Sequence, residues 1–398
     1  MRIHRHLAEA VVNGLEEIFD QNKYADKIIQ YNLKGHSKWG SRDRKFFAET
    51  IYEVVRWYRL LEFMGQSGDM WRIVGIQWLR MGYDLPPDWE EFEGLDYDFI
   101  RAREKEAQDK FAVAQSIPDW MDARGRLELG DTWESAVKAL NKPAEVFMRV
   151  NALKFTPAQV IEELKKAEIE ALPVSPDLPL ALKLKERRNV FITEAFRKGM
   201  FEVQDAASQM VVPMLDVQPG QRVVDACAGA GGKSLHIAAL MKNKGRIISM
   251  DIHEWKLQEL KVRARRNNVD IIETRVIDSS KVIKRLHEEA DRVLLDVPCS
   301  GMGVLRRNPD SKWKLSDDEI ARLQTLQYEL LTSYSKMTKK GGKMVYATCS
   351  LLPSENEKQV ARFISEHGDQ WTLEKEMHLR PDREGFDGFY AALLIRKS

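Results

Sequence analysis

From about Val211 to the C-terminus, short and continuously apolar runs alternate with segments of helical spacing, and this alternation constrains the fold more than any other feature. The runs are RVVDAC, RIISMD, ETRVID, DRVLLDVP and KMVYATCS. Between them lie KSLHIAALMK, EWKLQELKVRARRNN and SDDEIARLQTLQYELLTSYSKM, with apolar residues three and four apart. A strand that is apolar on both faces must be covered on both faces, and intervening helices supply the cover. The expected fold is α/β: a doubly wound, Rossmann-like parallel sheet whose ligands sit beyond the carboxyl ends of its strands.

The chain upstream reads differently. Residues 1 to about 125 carry helical spacing in HRHLAEAVVNGLEEIFDQ and SRDRKFFAETIYEVVRWYRLLEFM, with Ser41 as the expected N-cap of the second. Trp39, Trp57, Trp71, Trp78, Trp89 and Trp120 fall here; base stacking is one use for them, and core packing of a helical bundle is the better one. Residues 143–205 suggest a small α+β module, in which Thr156 caps a helix that has Pro157 at its first position. The expected domains are therefore 1–125, 143–205 and 206–398.

Composition narrows the class. Lys and Arg number 62 against 61 Asp and Glu, so any nucleic-acid surface has to be a local patch. Three cysteines, Cys227, Cys299 and Cys349, are too few for a disulfide framework and point to a reducing, cytoplasmic setting. No CxxC and no His/Cys cluster suggests a metal site, and no stretch is apolar enough to span a membrane. The N-terminus lacks an apolar signal core.

Three strands end in distinctive chemistry. After the first comes a turn, Asp225 to Ser234, with Gly229, Gly231 and Gly232 before a helix; glycines admit a ligand close to the backbone and the helix start offers free N–H groups. Asp251 ends the next strand, placed to accept from ribose hydroxyls. The spacing fits neither the strict dinucleotide fingerprint nor a P-loop. Two further strands end in Asp296-Val297-Pro298-Cys299 and Thr348-Cys349-Ser350, which puts both cysteines at the cofactor edge of the sheet, where a thiol can be activated. Cys227, deeper in the first turn, reads as structural.

These residues carry a resemblance to the RsmB-type 16S rRNA cytosine-C5 methyltransferases and the related Nop/Sun proteins. Arg149-Val150-Asn151 is similar to the family's RVN signature, and Gln204 to Ser208 to its QDxAS motif. Cys227-Ala228-Gly229-Ala230-Gly231-Gly232-Lys233 resembles the CAAPGGK cofactor loop, with Gly-Ala in place of Ala-Pro. Asp296 to Gly303 with LRRNPDSKW, then ATCSLLPSENE and DGFYAALLIRK, resemble the remaining blocks, while Lys256 stands where the family usually has an arginine. The helical N-terminus resembles a NusB-like RNA-binding domain by helicity and position.

The resemblance implies an S-adenosyl-L-methionine-dependent enzyme making 5-methylcytosine in RNA, 16S rRNA ahead of tRNA. It implies Cys349 as nucleophile toward C6, Cys299 in release of the adduct, and Asp296 in contact with the pyrimidine edge or helping protonation. It implies that residues 227–233, Asp251, Asp278 and Asp296 hold the cofactor, Asp278 at the adenine. Arg306, Arg307 and Lys312 are expected on RNA phosphates. Two other readings stay open: a non-catalytic RNA-binding assembly factor, and a nicotinamide dehydrogenase, against which the loop spacing argues.

Overall fold

A computed structural model describes residues 3–398 and divides the chain into two compact units: Met1–Lys142 with Leu305–Asp317, and Pro143–Val304 with Asp318–Ser398. This differs from the three expected ranges. The helical part runs on to Lys142 and takes in a second stretch of chain, and the α+β module belongs to the same unit as the large sheet.

The helical unit is built on Arg5–Phe19, Ala25–Gly35, Ser41–Gly65 and Met70–Arg80, followed by shorter helices to Leu140. Their apolar stripes meet in one core around Phe46, Phe47, Val54 and Trp78. Trp39 and Trp78 lie in that core and Trp57, Trp71 and Trp89 pack against it, so packing accounts for five of the six tryptophans. Ser41 is the first helical residue rather than the cap. Gly40 is the cap, and its N–H donates to the Asp43 carboxylate at 3.4 Å.

Leu305–Asp317 completes this unit from far along the sequence. Asp310 accepts from the Ala25 N–H at 3.0 Å, at the start of helix Ala25–Gly35. Lys314 reaches Asn22 Oδ1 at 3.0 Å, just past the end of helix Arg5–Phe19. An acid at a helix start and a base at a helix end each complement the helix dipole. Trp313 donates from Nε1 to Val55 O at 2.7 Å.

The second unit carries two sheets. Strands β1 (Phe147–Val150), β2 (Ala171–Pro173), β3 (Ala181–Leu184) and β4 (Phe201–Val203) pair antiparallel in the order β2-β3-β1-β4. Thr156 caps helix Pro157–Lys165, with Pro157 at its start, as expected. The large sheet contains β5 (Arg222–Asp225), β6 (Arg246–Asp251), β7 (Ile272–Val276), β8 (Ala290–Asp296), β9 (Thr338–Thr348), β10 (Trp371–Leu379) and β11 (Phe389–Arg396). Its order is β10-β11-β9-β8-β5-β6-β7. The five expected strands are parallel, and β11 and β10 extend the β9 edge antiparallel.

Successive residues of a strand face opposite ways, so Val223 and Val224 enter different cores. One face packs on helices Gly232–Leu240 and Glu254–Asn267, the other on Asp317–Tyr334 and Glu357–His367. Both faces are thus covered, as the apolar runs require. Among the described residues no helix is long and apolar enough to cross a membrane.

Candidate active site

Every candidate side chain of the second unit stands at or just beyond the carboxyl end of a parallel strand. The turn after β5 is shaped by two glycines with left-handed backbone, Gly229 (φ +54°) and Gly231 (φ +84°). A Cβ on Gly231 would lie 2.4 Å from Leu260 Cγ, so close helix packing demands glycine there. At Gly229 a Cβ would meet nothing within 4 Å. Open space over a turn that runs into the first N–H groups of helix Gly232–Leu240 suits a ligand with polar atoms.

The turn is fixed from below. Asp251, ending β6, accepts from the Gly229 N–H at 2.9 Å and the His253 N–H at 2.8 Å. Ala228 N–H donates to Met250 O at 2.8 Å, and Arg263 donates to Ala230 O at 2.7 Å. Arg149 of the RVN triplet hydrogen-bonds Gln204 and, at 2.8 Å, Gly232 O. The RVN and QDxAS stretches therefore tie the small sheet to the glycine turn. Asp225 is buried beneath it, holding the Ser234 hydroxyl at 2.6 Å, while its Oδ1 finds no partner among the described residues. Burial pushes the Asp225 carboxyl up to about 7. Burial, with Asp225, Asp296 and Asp251 nearby, also pushes the Cys227 thiol well up.

Lys233 donates to Asp296 Oδ2 at 2.5 Å, and its ammonium stands 5.2 Å from the Phe389 ring centre. Three residues past Asp296, Cys299 Sγ lies 3.4 Å from Cys349 Sγ, which sits just past the end of β9. Because β8 and β9 are hydrogen-bonded neighbours, with Asp296 opposite Ala347, the two thiols have to emerge side by side. The hydrogen bond shared with Cys349, then burial, raise the Cys299 thiol well above an ordinary cysteine. Glycines close the floor: Gly303 N–H donates to Cys349 O at 2.9 Å and Gly388 N–H to Gly303 O at 2.8 Å.

Cys227 to Lys233, Asp251, Asp296, Cys299 and Cys349 thus gather at one sheet edge. Asp278 lies two residues past β7, exposed, and accepts from the Ser279 hydroxyl at 3.0 Å. Sequence reasoning missed Ser300, Ser350, Gln327 and Glu355, a buried polar group behind the thiols. The repeated Cys-Ser dipeptide was its one visible trace.

The expected phosphate contacts need correction at Lys312. Its side chain is 1% exposed, and its ammonium donates to Arg56 O at 2.7 Å, Ser116 O at 2.9 Å and Asn141 Oδ1 at 3.2 Å. Three acceptors use all three donors, leaving none for RNA. Burial pulls the Lys312 amine well below an ordinary lysine. Arg306 is buried too, at 5% exposure, and its carbonyl accepts from Arg56. Arg307 is half-buried.

The family model for 16S rRNA methyltransferase RsmB/F matches residues 212–395, and that for the RsmF/B-like ferredoxin-like domain matches residues 117–191. A probable ribosomal RNA small subunit methyltransferase B of Synechocystis is 32% identical over 96% of this chain and 97% of its own length. The ribosomal RNA small subunit methyltransferase B of Yersinia enterocolitica is 38% identical over 70% of this chain and 66% of its own. The crystal structure of PH0851 superposes with a TM-score of 0.82 at 27% identity, covering 99% of each chain. With the cofactor-type turn, the paired thiols and a relative matched along nearly its whole length, this chain belongs to the RsmB/F methyltransferase family.

Proposed function

We propose that the protein methylates C5 of a cytosine in RNA, with S-adenosyl-L-methionine as methyl donor, 16S rRNA as substrate, and Cys349 as the attacking group. The observation that carries this is the thiol pair, Cys299 Sγ to Cys349 Sγ at 3.4 Å, beside the glycine turn. One nucleophile suffices for many transfers; two adjacent thiols fit a reaction that must both make and break a covalent adduct.

The turn from Cys227 to Lys233, with Asp251, Asp278 and Asp296, is the proposed cofactor site. The open space at Gly229 and the unpartnered Asp225 Oδ1 beneath the turn support the fit. S-adenosyl-L-methionine supplies an electrophilic methyl when bound.

The chain's residues do the rest. Cytosine C5 is a poor nucleophile until a thiolate adds to C6. Cys349 Sγ forms that bond, and the C5–C6 π electrons shift into the ring, leaving C5 electron-rich. After C5 takes the methyl, its proton passes to Cys299 Sγ in the thiolate form, the double bond reforms and the Sγ–C6 electron pair leaves on Cys349. A thiol raised as Cys299 is beside Cys349 is a strong proton acceptor once ionised, which suits it to this release. Asp296, oriented by Lys233, is placed for the pyrimidine edge. The target base has to leave any stack to reach the strand ends. Arg307, the most open of the three expected cations, is the proposed phosphate contact. The relatives' names specify the ribosomal small subunit, which favours 16S rRNA over tRNA.

The test is methyl transfer from labelled S-adenosyl-L-methionine to unmodified 16S rRNA and to tRNA, with wild type, Cys349→Ala and Cys299→Ala. Labelled 5-methylcytosine with wild type, none with Cys349→Ala, and a trapped protein–RNA adduct with Cys299→Ala are expected. Activity surviving Cys349→Ala overturns the nucleophile assignment, and activity on tRNA alone overturns the substrate.

A further inference from the structure

Behind the thiol pair, the two loops that carry the cysteines share one buried carboxylate. Ser300 follows Cys299, and Ser350 follows Cys349. Glu355 is 0% exposed. Its Oε2 accepts from Ser300 Oγ at 2.5 Å and from Ser350 Oγ. Its Oε1 accepts from the Ser300 N–H at 2.8 Å and from Gln327 Nε2 at 2.9 Å. The two serine hydroxyls are themselves 3.2 Å apart. Four donors fill the acceptor capacity of one carboxylate.

The attachments reach both backbones. Gln327 also donates to Pro298 O at 3.0 Å, the residue before Cys299. On the other loop, Ser350 Oγ accepts from the Leu352 N–H at 3.1 Å, and Asn356 donates to Ser350 O at 3.0 Å. Thr348, before Cys349, donates to Asn356 Oδ1 at 2.5 Å. A carboxylate is costly to bury unless its acceptor sites are filled. Here every filling donor belongs to a thiol loop or to the glutamine that grips one, so satisfying the charge requires the loops to hold one spacing.

We infer that Glu355 is a positioning residue that sets the separation and aim of Cys299 and Cys349 through Ser300 and Ser350, a role that rests on the two-thiol reading above. The hydrogen bonds of the Glu355 carboxylate go to Ser300, Ser350 and Gln327 and to no atom of the glycine turn or of either sulfur, while its charge also acts through space on the Cys299 thiol. Removing its charge should therefore disturb thiol chemistry and leave cofactor binding alone. Ångström-scale misplacement of a reacting group costs on the order of 100-fold in rate.

The experiment compares wild type with Glu355→Gln, Ser300→Ala and Ser350→Ala in three readouts. These are retention of labelled S-adenosyl-L-methionine, single-turnover formation and decay of the protein–RNA adduct, and iodoacetamide alkylation of Cys299 and Cys349 against pH, read by peptide mass spectrometry. Unchanged cofactor retention is expected for all three. Glu355→Gln should slow adduct formation by about 10- to 100-fold and shift the alkylation pH profile. Ser350→Ala should slow formation, whereas Ser300→Ala should slow decay so that adduct accumulates. Within a Glu355→Gln background each serine change should add little, since the groups act as one unit.

Wild-type rates and alkylation profiles in all three variants, with wild type making 5-methylcytosine, overturn the positioning role. Absence of 5-methylcytosine with wild type removes the two-thiol reading instead, and the alkylation profiles then decide the fate of Glu355 alone. If Glu355→Gln fails to fold, the serine variants carry the decision, and identical formation and decay in both overturn the inference.

Discussion

Lys233 Nζ and Asp296 Oδ2 meet at 2.5 Å, joining the first turn of the helix after β5 to the last residue of β8. The pair couples the glycine turn to the strand end that leads into Cys299. With side-chain exposures of 11% and 29%, neither charge is fully solvated.

That coupling separates stability from activity. Asp296→Asn leaves the Lys233 ammonium short of its counter-charge and should lower stability by about 1–3 kcal/mol. Adding Lys233→Met should restore part of that loss, because no unpaired charge remains. Methyl transfer should stay low in the double variant, since Asp296 is the proposed base contact. Urea unfolding beside a methylation assay checks both, and recovered activity in the double variant would argue that the pair is purely structural.

Asp225 gives a pH signature. Its carboxyl is raised to about 7 in the fold, chiefly by burial, against about 4 in an unfolded chain. Between those values the folded state holds a proton that the unfolded state has released. Stability contributed here therefore falls as pH rises through that window and levels off above it. Asp225→Asn cannot ionise, so its advantage over wild type should grow from near zero at pH 4 to a few kcal/mol at pH 8. Parallel urea midpoints for the two proteins across that range would remove the assignment.

Two glycines should respond differently to a methyl group. A Cβ at Gly303 would lie 2.2 Å from Gly388 O and 2.8 Å from Cys349 O, both backbone atoms. Gly303→Ala should cost about 3 kcal/mol or more and abolish adduct formation. Gly229→Ala meets no neighbour but sits at φ +54°, so its stability cost should be about 1 kcal/mol. Its main effect should be weaker S-adenosyl-L-methionine binding, measurable by calorimetry. Equal binding by Gly229→Ala and wild type would move the cofactor away from this turn.

The basic segment offers a contrast between neighbours. Lys312→Met strips three oxygens of their shared donor inside the helical unit and should destabilise it by about 2–4 kcal/mol. The salt dependence of RNA binding by the folded protein should not change. Arg307→Ala should lower the slope of log affinity against log salt by about one phosphate contact. A changed slope for Lys312→Met would reinstate it as an RNA ligand.

Which parts of this were legible in sequence follows from the range of the forces. The strands β5 to β9 were visible because burial on both faces leaves a continuous apolar run, and the thiols because they stand where those runs stop. Strand β10 was not, since WTLEKEMHL is an edge strand with much of its length exposed and charged, and only pairing with β11 makes it a strand. Glu355 was hidden in a polar run that reads as a helix start. Its meaning depends on Ser300, 55 positions upstream. Lys312 was misread for the same reason: in sequence it is one cation in a basic stretch, and the oxygens that enclose it come from Arg56, Ser116 and Asn141.

The return of Leu305–Asp317 to the helical unit fixes an order of events during synthesis. When Lys142 leaves the ribosome, the helices Arg5–Phe19 and Ala25–Gly35 are present, but Asp310, Lys312 and Trp313 are not yet made. Until they are, the Ala25 N–H and the Arg56 and Ser116 carbonyls lack the partners they have in the finished fold. At roughly 5–20 residues per second, the intervening stretch takes on the order of 10–30 s to translate. The part of the chain born first therefore gains its last partners only after β5 to β8 have emerged, and a nascent chain stalled before residue 305 carries a helical unit without the segment that supplies them.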